Sequence, residues 1–384
     1  MKVGVILSAA ERSRRIQKKT HSTSPRSGFA QGDTREIRNG TMKVTVLGTG
    51  GWGLSLGQVV YENKNDVMFW TNSQAEVDLL STEHQYKDKL PGVIFPEDFK
   101  YTTDMNAALE GCDMVLIVVP SQFMGGVAKN LGKWTPAKGK EPVVVCATKG
   151  ILEGTNQLMS EVLLENVPWL TDDKMVAFSG PSHAEEVSRH IFTTIVAACV
   201  NEESAKLVQK VMSCSYLRVY SSTDIIGVEL CGSVKNVIAI ASGVLYGLEA
   251  TGKYKVGDNS RAAILTRGQA EMCRLGKALG AKPETFAGLA GMGDLIVTCL
   301  SQHSRNRYVG EHIGKGETID QVLAGMKMVA EGVPTCKSTK ALADKLGVEM
   351  PIVNAVHALL FEGKNVDDVI KEMWGRELKE EVWG

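Results

Sequence analysis

Three groups of residues in this chain have the types and spacing to do chemistry. The first is Lys235-Asn236, set inside the apolar run 227–240 with Val234, Val237, Ile238 and Ile240 around the lysine. A buried ammonium costs several kcal/mol unless it is paired or neutral. Burial also lowers its pKa toward the range where a general base works near neutral pH. The same spacing fits a lysine whose stem lies on apolar surface while its head stays in water. The second group is Gly291-Met292-Gly293-Asp294-Leu295-Ile296-Val297-Thr298, followed by Ser304-Arg305-Asn306-Arg307. Asp294 and Thr298 share one face if the stretch is helical. Two arginines flanking an asparagine suit an oxyanion such as phosphate, with bidentate contacts from arginine. A helix cap at Asp294 followed by a solvated basic turn fits equally. The third is Lys149 in Thr148-Lys149-Gly150, the one cation among the loops that follow the predicted strands. By itself it is also an ordinary solvated loop residue.

These groups need elements to position them. Val44-Thr45-Val46-Leu47 reads as a strand running into Gly48-Thr49-Gly50-Gly51-Trp52-Gly53 and then a helical pattern over 54–61. Strand, G-x-G-x-x-G and helix form the arrangement that holds a dinucleotide by its pyrophosphate. The first glycine makes the turn, the second lets backbone approach phosphate, and the third lets helix and strand pack. A tight strand-to-helix turn without a ligand would leave the same trace. Further strands are expected at 66–70, 113–120, 142–147, 175–178, 193–199 and 217–220, alternating with helices, as in a Rossmann-type doubly wound parallel sheet. Ligands in such sheets bind beyond the carboxyl ends of the strands. The loops at Gly48, Pro120-Ser121-Gln122-Phe123, Thr148-Lys149-Gly150 and Ser179-Gly180-Pro181-Ser182 should therefore converge on one rim. From Asp224 the texture changes to long helical periods at 227–242, 260–279 and 335–346. The expected organisation is a basic extension over 1–41, a dinucleotide-binding domain over 42–222 and an all-helical substrate-binding domain over 223–384.

Net charge is −1 over 384 residues, so nothing global points to nucleic acid or an anionic membrane. No wholly apolar run of bilayer length occurs, so no transmembrane segment is expected. The eight cysteines form no C-x-x-C pair and several lie in apolar runs. They read as reduced core thiols in a cytosol-like compartment, with no metal site. Residues 1–41 hold nine basic and three acidic side chains, a net of +6 that leaves −7 for the rest. Their polar, aperiodic second half is expected to be disordered. A dispensable cytoplasmic extension and an organelle-targeting segment are both compatible with this composition.

Taken in order, these segments resemble the NAD(P)-dependent glycerol-3-phosphate dehydrogenase family. Gly48–Gly53, Val118-Val119-Pro120-Ser121-Gln122, Thr148-Lys149-Gly150, Ser179-Gly180-Pro181-Ser182, Gly227-Val228-Glu229-Leu230 with Lys235-Asn236-Val237, Gly257-Asp258-Asn259, Ala290–Leu295, Ser304–Arg307 and Ala330-Glu331-Gly332 carry the likeness. It spans about residues 42–375. The resemblance implies reversible hydride transfer between NAD(P)H and dihydroxyacetone phosphate, giving sn-glycerol 3-phosphate. It makes Lys235 the general acid or base on the C2 oxygen, with Asp294 orienting it and Lys149 adding positive charge beside the substrate hydroxyls. It implies Gly180 and Ser182 lining the substrate pocket, and Asn236, Thr298, Ser304, Arg305 and Asn306 at the phosphate end. The dinucleotide would contact Gly48, Gly50, Gly51, Trp52, Gly53, Phe123, Lys149, Ala184, Arg305, Val329 and Glu331. None of the seven histidines matches a catalytic base of the family.

Two departures stand out. Trp70 leads into Thr71-Asn72-Ser73, with neither the acid that selects NAD nor an arginine for a 2′-phosphate, so NAD and NADP stay equally open. Gly51 stands where many relatives carry a small polar residue. A hydroxy-acid dehydrogenase and a non-catalytic NAD(P)-sensing module are the competing functions. The apolar segment 356–361 fits either a homodimer contact or the chain's own core.

Overall fold

The computed structural model describes residues 41–326 and 329–381. The expected basic extension lies, except for Thr41, outside the described residues. Eight strands form one sheet: β1 (Lys43–Leu47), β2 (Asp66–Trp70), β3 (Lys100–Thr102), β4 (Met114–Ile117), β5 (Val143–Cys146), β6 (Met175–Ser179), β7 (Thr193–Ala198) and β8 (Leu217–Ser222). The helices between them are α1 (Gly51–Glu62), α2 (Gln74–Glu83), α3 (Met105–Leu109), α4 (Met124–Leu131), α5 (Met159–Asn166), α6 (Ala184–Val187) and α7 (Glu202–Met212). From Ile225 on the described chain is helical: α8 (Ile225–Thr251), α9 (Asp258–Leu279), α10 (Pro283–Ala287), α11 (Asp294–Leu300), α12 (Arg305–Gly314), α13 (Ile319–Ala324), α14 (Gly332–Leu346), α15 (Pro351–Phe361) and α16 (Val366–Trp374).

The spatial strand order is β3-β2-β1-β4-β5-β6-β7-β8. β1 lies between β2 and β4; the chain runs outward from it through β2 and β3 on one side and then through β4, β5 and β6 on the other, which makes the doubly wound crevice at its carboxyl end. Two features depart from the sequence reading. β3 is a three-residue edge strand whose Lys-Tyr-Thr sequence has no apolar run to announce it. β7 pairs antiparallel with β6, so the sheet is only mostly parallel. The single-turn α6 spans only ~6 Å at 1.5 Å per residue. It cannot carry the chain back across the sheet, so β7 returns from the same end at which β6 stopped.

Apolar residues pack on both faces of the sheet. One face buries Val44, Val46, Leu54 and Phe69; the other buries Leu47, Val115, Ile117 and Leu131. The helical half is built around α8, with Val234, Val237, Ile238 and Ile240 fully buried. α8 is long and apolar enough to cross a bilayer, but 83% of its most apolar window is buried within the protein, as befits a core helix. Asp224 caps it, accepting from Gly227 N at 3.0 Å, and also accepts from Lys282 N at 2.9 Å and Thr285 Oγ1 at 2.5 Å, which ties the starts of α8 and α10 together. The apolar face of α15 (Val353, Val356, Leu360) is buried in the chain's own core.

α8 and α12 meet along glycines. A Cβ on Gly243 would come within 2.1 Å of Arg307 O, and one on Gly310 within 1.9 Å of Ile240 O. Gly247 and Gly314 continue the seam one turn on. The close approach brings the first turn of α12 against the middle of α8.

Candidate active site

The three glycines of the first loop have three different surroundings. Gly48 sits at φ +116°, and a Cβ there would meet Val118 O at 2.4 Å; a Cβ on Gly53 would meet Gly48 O at 2.1 Å. Among the described residues, nothing beyond its own chain neighbours lies within 4 Å of a Cβ built on Gly50, so the open side of the loop is there. α1 begins beside it with no side-chain cap and no acid in its first turn. Its first N–H groups and dipole are thus available to an anion, and the loop fits a dinucleotide pyrophosphate. Gly51 packs against Leu90, Trp52 Nε1 is buried with no hydrogen-bond partner among the described residues, and the Ala184 carbonyl accepts from Ser55 Oγ at 3.0 Å.

The loops after β4, β5 and β6 meet at the same rim. Val119 N donates to Thr148 Oγ1 at 3.2 Å, and Thr148 Oγ1 donates to Val119 O at 2.8 Å, which locks the first two together. Lys149 Nζ reaches Gly180 O at 3.3 Å, and Ser182 Oγ donates to that same carbonyl at 3.0 Å. Gly150 N donates to Ser233 Oγ on α8 at 2.9 Å, which fixes the lysine loop to the helix that carries Lys235.

Lys235 is 5% exposed. Its ammonium donates to Asp294 Oδ1 and, at 2.7 Å, to Thr298 Oγ1. Asp294 is 1% exposed, and its other oxygen accepts from Lys149 Nζ at 2.9 Å. One buried carboxylate therefore holds a lysine from each half of the chain. Burial pulls the Lys235 pKa down, Asp294 pulls it up and Lys149 pulls it down, leaving it at about 7. The snorkelling alternative is excluded by this burial. Asp294 starts α11 directly after a π-type turn over Leu289–Gly293, and Thr298 Oγ1 donates to Asp294 O at 2.6 Å one turn on. The shared helical face read from the spacing is present.

Beside the lysine, Asn306 Nδ2 donates to Asn236 Oδ1 at 3.0 Å, and Gly332 N donates to Asn306 Oδ1 at 2.8 Å. Ser304 caps α12 by accepting from Arg307 N at 3.2 Å. Arg305 is exposed, and its Nη1 donates to Val329 O at 2.9 Å. Glu331, whose carboxyl burial pushes above the usual range, accepts from Ser121 Oγ at 2.7 Å across the cleft. Phe123 and Val329 stand exposed at the rim.

Three residues at the rim escaped the sequence reading. Ser233 carries no local signal. His183 is masked by its place between Ser182 and Ala184. Glu76, in the first turn of α2, accepts from Thr49 and Thr71 on one oxygen and from Tyr86 (3.0 Å) and Lys89 (2.8 Å) on the other. Burial opposes its ionisation, but hydrogen bonds from Lys89, Thr49 and Thr71 overcome that and hold it at about 2. The fold thus brings an acid, Glu76, to Thr71 at the end of β2, from five residues further along the chain.

With the geometry in place, comparison with known proteins is direct. Residues 43–205 match the family description "NAD-dependent glycerol-3-phosphate dehydrogenase N-terminus", and residues 224–371 match its C-terminus. The chain is 44% identical over 342 residues to the glycerol-3-phosphate dehydrogenase [NAD(P)+] of Ligilactobacillus salivarius, covering 89% of this chain and 99% of that one. It is 46% identical over 342 residues to the enzyme of the same name from Chlorobium limicola, covering 89% and 100%. The crystal structure of glycerol-3-phosphate dehydrogenase from Coxiella burnetii superposes with a TM-score of 0.81 at 35% identity, covering 88% of this chain and 99% of that one.

Proposed function

The chain belongs to the NAD-dependent glycerol-3-phosphate dehydrogenase family, and from that premise we propose how its residues divide the work. The activity is reversible hydride transfer between NAD(P)H and dihydroxyacetone phosphate, giving sn-glycerol 3-phosphate. Family membership sets aside the hydroxy-acid dehydrogenase and the non-catalytic sensor. NAD or NADP, when bound, supplies or accepts the hydride.

The observation that carries the assignment is the single buried Asp294 carboxylate holding Lys235 and Lys149. In reduction, the C2 carbonyl oxygen gains negative charge as C2 becomes tetrahedral, and Lys235 gives it a proton. In oxidation, neutral Lys235 takes the hydroxyl proton back. A pKa near 7 makes either state accessible at neutral pH. Asp294 orients Lys235 and supports its charged form. Lys149 adds a fixed positive charge next to the developing alkoxide, where a desolvated site makes it count. Asn236 and Asn306, with Arg305 at the mouth, suit the phosphate, and Thr298 holds the lysine in line. Gly180 and Ser182 form the wall opposite. Gly48, Gly50, Gly51, Trp52 and Gly53 would hold the dinucleotide at its pyrophosphate, and Phe123, Ala184, Arg305, Val329 and Glu331 would also contact it.

We read residues 42–222 as the cofactor-binding domain and 223–384 as the substrate domain. The unpaired cysteines support a reducing, cytoplasm-like compartment. Exposed Ile94, Ile191 and Phe192, on segments joined by the Arg189 Nη2–Pro91 O bond, support a homodimer; a monomer mass by sedimentation would remove that proposal.

The deciding experiment follows nicotinamide absorbance with dihydroxyacetone phosphate. Wild type should oxidise NADH or NADPH. Lys235→Ala should bind cofactor normally and lose at least ~100-fold in kcat. Near-normal turnover by Lys235→Ala would remove Lys235 as the proton-transfer group.

A further inference from the structure

His183 lies in the segment that leaves β6 at the rim, between Ser182 and the first residue of α6. Its imidazole makes no cap bond to α6. Its Nε2 is sealed from solvent and has no hydrogen-bond partner among the described residues. A buried polar nitrogen left alone costs free energy that an arriving partner recovers. The nitrogen sits in an informative place. The His183 ring packs edge-on against His303 from the helical half, with centroids 6.0 Å apart and planes at 62°. His303 directly precedes Ser304-Arg305-Asn306, so this contact stands at the phosphate end of the site. The ring also lies within the electrostatic reach of Lys235 and Lys149, and Glu185 and Glu186 follow on α6. Burial first, and then the charge of Lys235, keep the imidazole pKa below its ordinary value, with Lys149 acting the same way and the two glutamates opposing. A neutral ring at this point can present an N–H without adding to the crowded positive charge.

We propose that His183 Nε2 is a substrate contact, donating a hydrogen bond to a phosphoryl oxygen of the bound triose phosphate. The inference rests on the glycerol-3-phosphate dehydrogenase reading and extends it. Phosphate recognition becomes bipartite: Asn236, Arg305 and Asn306 come from the helical half, and His183 comes from the nucleotide-binding half. The carbonyl end of the substrate is served by Lys235, so the phosphate is the acceptor that remains near His303. A phosphate dianion is also the strongest acceptor the substrate offers.

The test compares wild type with His183→Phe, which keeps the ring and its packing on His303 while removing the N–H, and with His183→Gln, which restores a donor. NADH binding by fluorescence reports whether each variant is folded and its cofactor site intact. H183F should raise KM for dihydroxyacetone phosphate roughly ten- to a hundredfold. It should also narrow the preference in kcat/KM for dihydroxyacetone phosphate over dihydroxyacetone, which has no phosphate, and H183Q should recover part of the loss. An unchanged KM for dihydroxyacetone phosphate in H183F overturns the inference alone. Equal losses on both substrates mark a merely structural role and also overturn it. Should H183F fail to bind NADH, His183→Asn, too short to reach the phosphate, carries the same comparison. A wild-type chain that binds NADH without turning over dihydroxyacetone phosphate overturns the functional reading and this inference together.

Discussion

Replacing Asp294 with asparagine keeps the shape of the site and removes the charge that Lys235 and Lys149 share. Lys235 sits at about 7 because burial pulls it down and Asp294 pulls it back. Two unit charges ~4 Å apart at an effective dielectric of ~20 interact by about 4 kcal/mol. At 1.36 kcal/mol per pKa unit, the most Asp294→Asn can cost the ammonium is roughly three units. Water entry and relaxation reduce that, so a downward shift of at least ~1 unit is expected. The sign differs between directions. Reduction needs the protonated lysine, so its kcat/KM should fall as pH rises through about 7 in wild type, and through a lower pH in Asp294→Asn. Oxidation needs the neutral lysine, so its rising limb should move to lower pH as well. Profiles of log kcat/KM against pH, in both directions, read this from the free enzyme. An inflection that stays in place while the rate drops uniformly would show that Asp294 only positions the lysine. An upward shift would refute the electrostatic argument outright.

Gly53→Ala should abolish cofactor binding, because its Cβ would stand 2.1 Å from Gly48 O and force the pyrophosphate loop open; titration with NADH checks this. Glu76→Ala removes a carboxylate beside Thr71 and frees Lys89, so kcat/KM should move toward NADPH over NADH by roughly tenfold, and an unchanged ratio would exclude Glu76 from cofactor choice. Buried Glu229 accepts from Ser160 N at 2.8 Å and from its hydroxyl; burial raises its pKa from 4.5 to about 7. The folded state therefore holds a proton that the unfolded chain has lost, and stability declines as pH climbs from 4.5 to about 7 and levels off above. Glu229→Gln should thus stabilise by up to about 3 kcal/mol at mildly alkaline pH, with the gain in Tm vanishing in acid.

Much of this was legible in the chain because the signals were local. The glycine spacing, the β-branched runs and the Asp294–Thr298 interval each lie within a dozen residues, and each took the form expected of it. What sequence could not resolve depended on partners far along the chain. Lys235 fitted both burial and snorkelling until Asp294, 59 residues on, was placed against it. Glu76 carries no local signal of a role, and only the fold brings Thr49 and Lys89 to it. β3 is too short and polar to show a period, and the reversal of β7 follows from a connection too short to cross the sheet. His183 went unnoticed because its meaning lies in a ring 120 residues away.

The glycine seam between α8 and α12 has a consequence for how this protein tolerates mutation. At Gly243, Gly247, Gly310 and Gly314 every substitution adds atoms where neighbouring backbone already stands. Random change there is one-directional, since nothing smaller can be tried. Asn306 meets Asn236 only because the two helices touch, so the phosphate end inherits that intolerance from positions that contact no ligand. In a saturation mutagenesis map, Gly310 should score like a member of the active site, and a conservation-minded reader would mistake structural emptiness for chemistry.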